Sequence, residues 1–181
     1  MEISLGVLIR ISLEEREEEQ MSVGLAILVT LGICALSASL EGLLAGKNVK
    51  RYLAELRRPS YALPLWAWYV IGGLYYVIWG VVLYRMLRHE GGTTIRNIAL
   101  ALLLLMMGIN AFWNYIFFRL GNLFLSFFAF PPYLIFAIAL FVSLIQLDQL
   151  AACFILLYML YLVYATQWSY RLWQLNRSAE Y

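Results

Sequence analysis

Charged side chains are scarce in this sequence. Of its 181 residues, 13% are charged and 64% are hydrophobic. Globular chains carry about 25% charged and about 45–50% apolar residues, so this chain has too little polar material to cover a water-facing surface. A water-soluble domain is therefore excluded, and lipid is the expected solvent. The net charge of +2 is too small and too dispersed for a nucleic-acid interface, so we expect no nucleic-acid partner.

Cysteine and histidine are also rare. Cys34 and Cys153 lie far apart inside apolar runs, without CxxC spacing, and His89 is the one histidine. We interpret the cysteines as small core residues and His89 as an exposed loop residue, rather than as metal or haem ligands. The sequence shows no acid–base pair, activated nucleophile or metal cluster. We therefore predict no catalytic residue, no metal site and no obligatory cofactor.

Long apolar runs dominate the chain instead. A helix needs about 20 apolar residues to cross a bilayer, and five runs satisfy this length. These runs cover residues 22–45, 63–87, 98–118, 122–147 and 150–173. They are continuously apolar rather than alternating, which argues against a transmembrane barrel, and the connections are too short for a soluble catalytic domain. The sequence predicts an all-α integral membrane protein, a five-transmembrane-helix bundle.

The first 20 residues differ from the rest. A short apolar stretch containing Arg10 leads into the acidic run at residues 14–19, and no small-residue cleavage site follows. This pattern is not typical of a signal peptide. Residues 1–20 are either an extension upstream of a start at Met21 or a mobile acidic tail. We therefore divide the chain into an acidic N-terminal extension, 1–20, and one five-helix membrane domain, 21–181.

Few ionisable residues fall inside the apolar runs. Glu41 lies near the end of the first run, where we expect it to reach the interface, and Asp148 lies in a turn. Arg85 and Arg171 are close enough to span ends to extend into the headgroup region. This scarcity argues against a proton-coupled or ion-coupled pump.

The distribution of basic residues predicts the orientation in the membrane. With five spans the termini lie on opposite sides, and of the 13 Lys and Arg residues eight fall on the side of the first loop and the C-terminus. Cytoplasmic loops carry the excess of Lys and Arg. We therefore expect the first loop and the C-terminus to be cytoplasmic.

Aromatic residues are abundant, with 13 Tyr, 10 Phe and 6 Trp. Those near span ends are typical of interfacial belts. This group comprises Tyr61, Trp66, Trp68, Tyr69, Trp168, Tyr170 and Trp173.

Other aromatic residues lie deeper in the spans. Asn110, Trp113 and Phe117 share one face of the third span, and Tyr158, Tyr161 and Tyr164 form an i, i+3, i+6 set on the fifth. Two interpretations are open for the mid-membrane Asn. It could join helices by hydrogen bonding, or it could belong to a pocket for a large, flat, mostly apolar ligand such as a tetrapyrrole or sterol.

Small residues recur along the first span at Ala38, Gly42 and Gly46. A ridge with this spacing permits close helix approach. The contact could lie within the bundle or between subunits.

Four sequence motifs, in order, resemble the TspO/MBR family, the tryptophan-rich sensory proteins that include the translocator protein. The resemblance covers nearly all of the chain from Leu25 to Asn176, and its first motif begins at Arg58. The motifs are Arg58-Pro59-Ser60-Tyr61-Ala62-Leu63-Pro64-Leu65-Trp66; Tyr76, Gly80 and Tyr84; Asn110-Ala111-Phe112-Trp113 with Phe117-Phe118; and Tyr158, Tyr164, Ala165, Trp173 and Asn176.

The resemblance implies a five-helix membrane protein, often a homodimer, with a ligand pocket beneath a first-loop lid. It further implies porphyrin, haem, cholesterol or related lipids as ligands, with Trp66, Asn110, Trp113 and Ala165 lining or closing the pocket. Tyr61 and Tyr161 occupy positions usually held by Trp. Together with the deep aromatic residues, the predicted ligand-binding set is Tyr61, Trp66, Trp68, Asn110, Trp113, Phe117, Tyr158, Tyr161, Tyr164 and Ala165.

The sequence also departs from the family pattern. Leu63, Gly72, Met106, Leu157 and Ser169 stand where the family usually has Pro, Trp, Gln, Pro and Asn. The changes at 72 and 106 remove a stacking surface and a hydrogen-bonding group. They argue against porphyrin photochemistry and against the affinity for isoquinoline carboxamide and benzodiazepine drugs that the resemblance would otherwise imply. Trp68 is placed to compensate in part for the missing stacking surface.

Three functions are compatible with these features. The first is a membrane receptor or carrier that binds a porphyrin, haem, sterol or related lipid in a sensory, transport or disposal role. The second is an enzyme that breaks down bound porphyrin in a light- and oxygen-dependent way with the help of pocket Trp residues. The third is a regulatory membrane partner without a small ligand.

Overall fold

The computed structural model describes residues 21–90 and 94–177, which form seven helices. The predicted acidic extension, 1–20, lies outside the described residues. The helices are α1 (Val23–Ala45), α2 (Val49–Glu55), α3 (Leu65–Arg88), α4 (Thr94–Asn114), α5 (Leu123–Phe128), α6 (Phe130–Leu147) and α7 (Gln149–Asn176). A π-helical turn, Tyr115–Arg119, extends α4.

Five segments in the described part of the chain are long and apolar enough to cross a membrane. They are Val23–Ala45, Leu65–Arg88, Thr94–Arg119, Leu123–Leu147 and Gln149–Asn176. The prediction of an all-α membrane protein with five spans is therefore confirmed.

The fourth span is interrupted, which the apolar pattern did not predict. Its first turns form α5, and α6 begins one residue later, with Pro131 and Pro132 in its first turn. Proline lacks a backbone N–H, so in a helix interior it removes a hydrogen bond. It is tolerated in the first turn of a helix, where the N–H groups have no partner within the helix. The two prolines thus explain why a new helix starts here.

The span ends carry the capping groups that the backbone requires. Ser22 accepts a hydrogen bond from the N–H of Leu25, and Asn122 accepts one from the N–H of Leu125. Gly121, in the turn before α5, has a φ of 63°, a conformation that glycine adopts without steric cost. These caps satisfy backbone donors that have no partner within the helix.

Asp148 joins α6 to α7 and carries an ion pair. Its Oδ1 accepts from the N–H of Ala151, which caps α7, and its Oδ2 lies 2.6 Å from Nε of Arg85 at the end of α3. Burial alone would raise the pKa of Asp148, but the hydrogen bonds from Arg85 and Ala151 outweigh it and lower this pKa below its usual value. The pair ties α3 to the α6–α7 turn.

The spans form a closed ring around the bundle axis. α1 packs against α3 and α4, α3 against α7, α7 against α6, and α6 against α4. At the end of the ring that contains the Asp148 turn, the space between helices is filled by fully buried side chains. They include Trp79, Leu83, Met86, Leu103, Met106, Leu140, Leu144 and Ile155.

The two cysteines differ in their surroundings. Cys34 is partly buried beside Gly80, whereas Cys153 is exposed on the outer face of α7. The prediction that both are core residues is therefore wrong for Cys153. Its neighbours Ala151 and Ala152 occupy the inward positions of that turn.

Candidate functional site

A cavity of about 570 Å³ occupies the other end of the ring, nearest the first loop. Its walls come from the last turns of α1, the first turns of α3 and α6, and the C-terminal halves of α4 and α7. Helix α2, which lies in the first loop and which we call the lid, contributes Val49 and Leu53 to the wall. The volume lies in the range of small-molecule sites, about 300–1,000 Å³.

Most of the predicted ligand-binding residues line this cavity. They are Trp68, Asn110, Trp113, Phe117, Tyr158, Tyr161 and Ala165. They reach it from three different spans, so the ring closure of the fold brings them together.

Tyr61, Trp66 and Tyr164 lie elsewhere. The side chain of Trp66 is 66% exposed and does not line the cavity. The ring of Tyr164 lies between Tyr61 and Trp68, with ring centroids 6.4 and 6.3 Å away, and the Tyr61 hydroxyl donates to the carbonyl of Gln167. Tyr164 therefore packs against the wall residue Trp68, and Tyr61 packs against Tyr164.

The aromatic wall is continuous across three spans. Trp113 and Phe117 stack with centroids 4.8 Å apart and planes 8° from parallel. Phe117 lies 5.7 Å from Trp168, which lies 4.8 Å from Trp68. The Trp113 indole donates to the carbonyl of Ser126 at 3.0 Å. Because that hydrogen bond fixes the indole, Trp113 offers a ligand its ring face rather than its N–H.

Trp168 corrects one sequence-based expectation. Its position near the end of the fifth span is typical of an interfacial belt residue, but its side chain is 4% exposed and lines the cavity. The fifth span is 28 residues long, so a residue near its end still lies well inside the bundle.

Tyrosine residues form the floor of the cavity. The hydroxyls of Tyr133 and Tyr158 lie 2.9 Å apart and share a hydrogen bond. Tyr75 packs against Tyr158 with ring centroids 5.8 Å apart, and among the described residues its buried hydroxyl has no hydrogen-bond partner. Tyr75 and Tyr133 were not among the predicted site residues, because their spacing does not distinguish a cavity wall from ordinary core.

The position of Glu41 also differs from the expectation based on the sequence. Rather than reaching the interface, it lines the cavity, and its Oε1 accepts a hydrogen bond of 2.8 Å from the Asn110 amide. The interaction joins α1 to α4 and gives Asn110 both roles considered for it, interhelical contact and cavity wall. An acidic residue within an apolar run was the signal available in the sequence.

The small-residue ridge on α1 borders the cavity. Ala38 and Gly42 line it, and a Cβ on Gly42 would meet no atom within 4 Å. Gly72 on α3, where the related family usually has Trp, also faces open space in the cavity wall. Gly46 instead lies against Arg119 at the turn into α2, where an added Cβ would come within 3.3 Å of the Arg119 Nε.

The lid is fastened to the C-terminal end of α7. The Asn176 side chain accepts from the Arg57 N–H at 3.0 Å and donates to the Arg57 carbonyl at 2.9 Å. This two-way hydrogen bond closes the backbone after α2 onto α7. The arrangement as a whole is a partly open, mainly apolar cavity with many aromatic side chains and a few fixed polar groups, which suits reversible binding of a lipophilic molecule.

Comparison with protein families matches residues 26–174 to the model of the TspO/MBR family. Comparison with curated proteins finds no match. The matched residues include all five spans except the ends of the first and last.

Proposed function

The chain belongs to the TspO/MBR family, and from this premise we propose that it is a membrane receptor or carrier for a flat lipophilic ligand. Family membership supports a ligand-binding or transport role in a membrane. The finer proposal is that a porphyrin, haem, sterol or related lipid binds between the helices, beneath the lid α2.

The observation that carries this proposal is the aromatic wall. Trp113 and Phe117 present parallel stacked rings next to Trp168 and Trp68 along the cavity. Aromatic side chains stack favourably on flat conjugated or fused-ring molecules and contribute large apolar contact area. Since the cavity is bordered by few fixed polar groups, burial of apolar surface supplies most of the affinity.

The test is equilibrium binding of protoporphyrin IX dimethyl ester, an uncharged flat macrocycle, to the purified full chain in uncharged detergent in the dark. We expect saturable binding, displaced by cholesterol if the site also accepts sterols. Trp113→Ala should weaken it about tenfold, equivalent to about 1.4 kcal/mol, since a stacking surface and its apolar contact are lost.

Phe112→Ala is the matched control for that variant. Phe112 is adjacent on α4 but is 55% exposed and points away from the cavity wall. Binding that does not saturate, or that both variants weaken equally, would indicate partitioning into detergent or a surface site and would count against the proposal.

We also propose a cytoplasmic first loop and C-terminus, and a homodimer. The basic residues Lys47, Arg58, Arg119 and Arg171 all belong to the lid end of the bundle, in keeping with the excess of positive charge on cytoplasmic loops. Labelling of Lys47→Cys from one side of the membrane tests the orientation. Light scattering of the protein in detergent tests the dimer.

A further inference from the structure

The charge inside the cavity is one-sided. Glu41 is the acidic residue of the cavity wall, and among the described residues that line the cavity there is no Lys, Arg, His or second acid. The nearest polar groups are neutral. Asn110 donates to Oε1, and Tyr76 lies beside the same carboxyl on the neighbouring helix.

A carboxylate is costly in such a place. Charged groups at membrane depth are stable when they pair with an opposite charge or reach water. The Asn110 amide and the adjacent Tyr76 hydroxyl satisfy only part of the hydrogen-bonding capacity of Glu41, since an ionised carboxylate has about four acceptor sites. Since no Lys, Arg or His lines the cavity within the described ranges, a cationic group on the ligand would complete this site.

The residues around Glu41 favour a cation. Tyr75, Tyr76 and Trp113 line the same cavity as Glu41 and Asn110, and Tyr76 lies beside the Glu41 carboxyl. Aromatic faces carry negative charge density and attract ammonium groups, and a carboxylate adds a charge-assisted hydrogen bond. The same surroundings repel an anion, because a second carboxylate near Glu41 would have no counter-charge.

From this geometry we propose that the preferred ligand carries a basic nitrogen, which in its protonated form binds between Glu41 and the aromatic wall. The inference rests on the proposed ligand-binding function and adds that, among flat lipophilic molecules, those that carry an amine bind in preference to neutral or acidic ones. It follows that free porphyrin carboxylates bind less well than their neutral or basic derivatives.

Three probes with one macrocycle test this inference. They are protoporphyrin IX, which has two propionates; its uncharged dimethyl ester; and a derivative in which both propionates are converted to amides that carry a tertiary amine. Binding of each is measured by quenching of tryptophan fluorescence in the dark, in uncharged detergent at constant salt. In the wild-type protein we expect the amine derivative to bind at least tenfold more tightly than the ester, and the ester more tightly than the acid.

Glu41→Gln keeps the size and the acceptor for Asn110 but removes the charge. It should abolish the preference for the amine over the ester and improve binding of the acid relative to both. Glu90→Gln is the matched control, because Glu90 is exposed and lies in the loop at the opposite end of the bundle. That variant should behave like wild type with all three probes.

The outcomes separate the two proposals. If the ester binds saturably but the amine shows no advantage in the wild-type protein, the inference is wrong and the ligand-binding function stands. If none of the three probes binds saturably, the proposed function fails and the inference fails with it. The comparison of probes in the wild-type protein requires no variant, so it decides the question even if Glu41→Gln does not fold.

Discussion

Filling the cavity at Gly42 should weaken ligand binding without weakening the fold. Gly42 lies on α1 in the cavity wall, and a Cβ there meets no atom within 4 Å. In Gly42→Leu the new side chain therefore has room to extend into the cavity. It would take up space that a bound ligand occupies.

The size of the effect follows from the atoms added. Leucine has four side-chain carbons, and ligands of drug size gain about 0.3 kcal/mol per non-hydrogen atom. Excluding about four ligand atoms thus weakens binding by about 1.2 kcal/mol, close to tenfold in Kd. Replacing glycine within a helix also removes a conformational entropy cost of up to about 1 kcal/mol. The melting temperature of Gly42→Leu should therefore equal or exceed that of wild type.

Gly32→Leu provides the control on the same helix. Gly32 is exposed, a Cβ there also meets no atom within 4 Å, and it does not line the cavity. The assay is titration with protoporphyrin IX dimethyl ester in the dark, paired with thermal unfolding in the same detergent. An unchanged Kd for Gly42→Leu, or an equal loss of affinity in Gly32→Leu, would refute the placement of the ligand in this cavity.

Three further substitutions test the lid, the interhelical ion pair and the tyrosine pair. Asn176→Ala removes both hydrogen bonds to the Arg57 backbone, so we expect dissociation of bound ester to accelerate several-fold in stopped-flow measurements; an unchanged rate would mean that the lid does not limit release. Because the folded-state pKa of Asp148 is lowered, its ion pair stabilises the protein above about pH 4 and is lost as the pH falls through the folded value. The difference in melting temperature between wild type and Asp148→Asn should accordingly shrink below about pH 4, and a constant difference would exclude this linkage. Tyr133→Phe leaves the buried Tyr158 hydroxyl without its partner and should destabilise the protein by about 1–3 kcal/mol. Adding Tyr158→Phe should recover part of that loss, since the double variant removes both hydroxyls of the pair and leaves neither of them unpaired.

The spans were predictable because the membrane imposes a length on each apolar run. A helix in hydrocarbon satisfies its own backbone, so continuous apolar sequence is enough to place it. The turns on either side of the fourth span were predictable as well, because Gly121 and Asp148 interrupt the apolar sequence between neighbouring runs. The break before Pro131 was missed because apolar residues continue through it.

Helical periodicity accounts for the part of the site that was predicted. Asn110, Trp113 and Phe117 share a face at spacings of three and four, and the structure places all three on the cavity wall. Helical periodicity shows which side chains share a face of a helix. It does not show how deep that face lies in the bundle or which helix packs against it. Tyr164 extends the series of Tyr158 and Tyr161 by one further step of three, and that step rotates it out of the cavity and behind Trp68.

The position of Glu41 along the sequence did not predict its surroundings in the fold. Counted along the chain, it lies five residues from Gly46 and close to the end of its span, which favours an interfacial role. In the ring of helices, however, α2 lines the cavity at this end and Asn110 approaches from α4, so the carboxyl lies in the cavity wall. The distance of an acidic residue from water therefore depends on which segment covers the span end. The same acid that a free helix end would expose to solvent here gives the cavity wall its charged group.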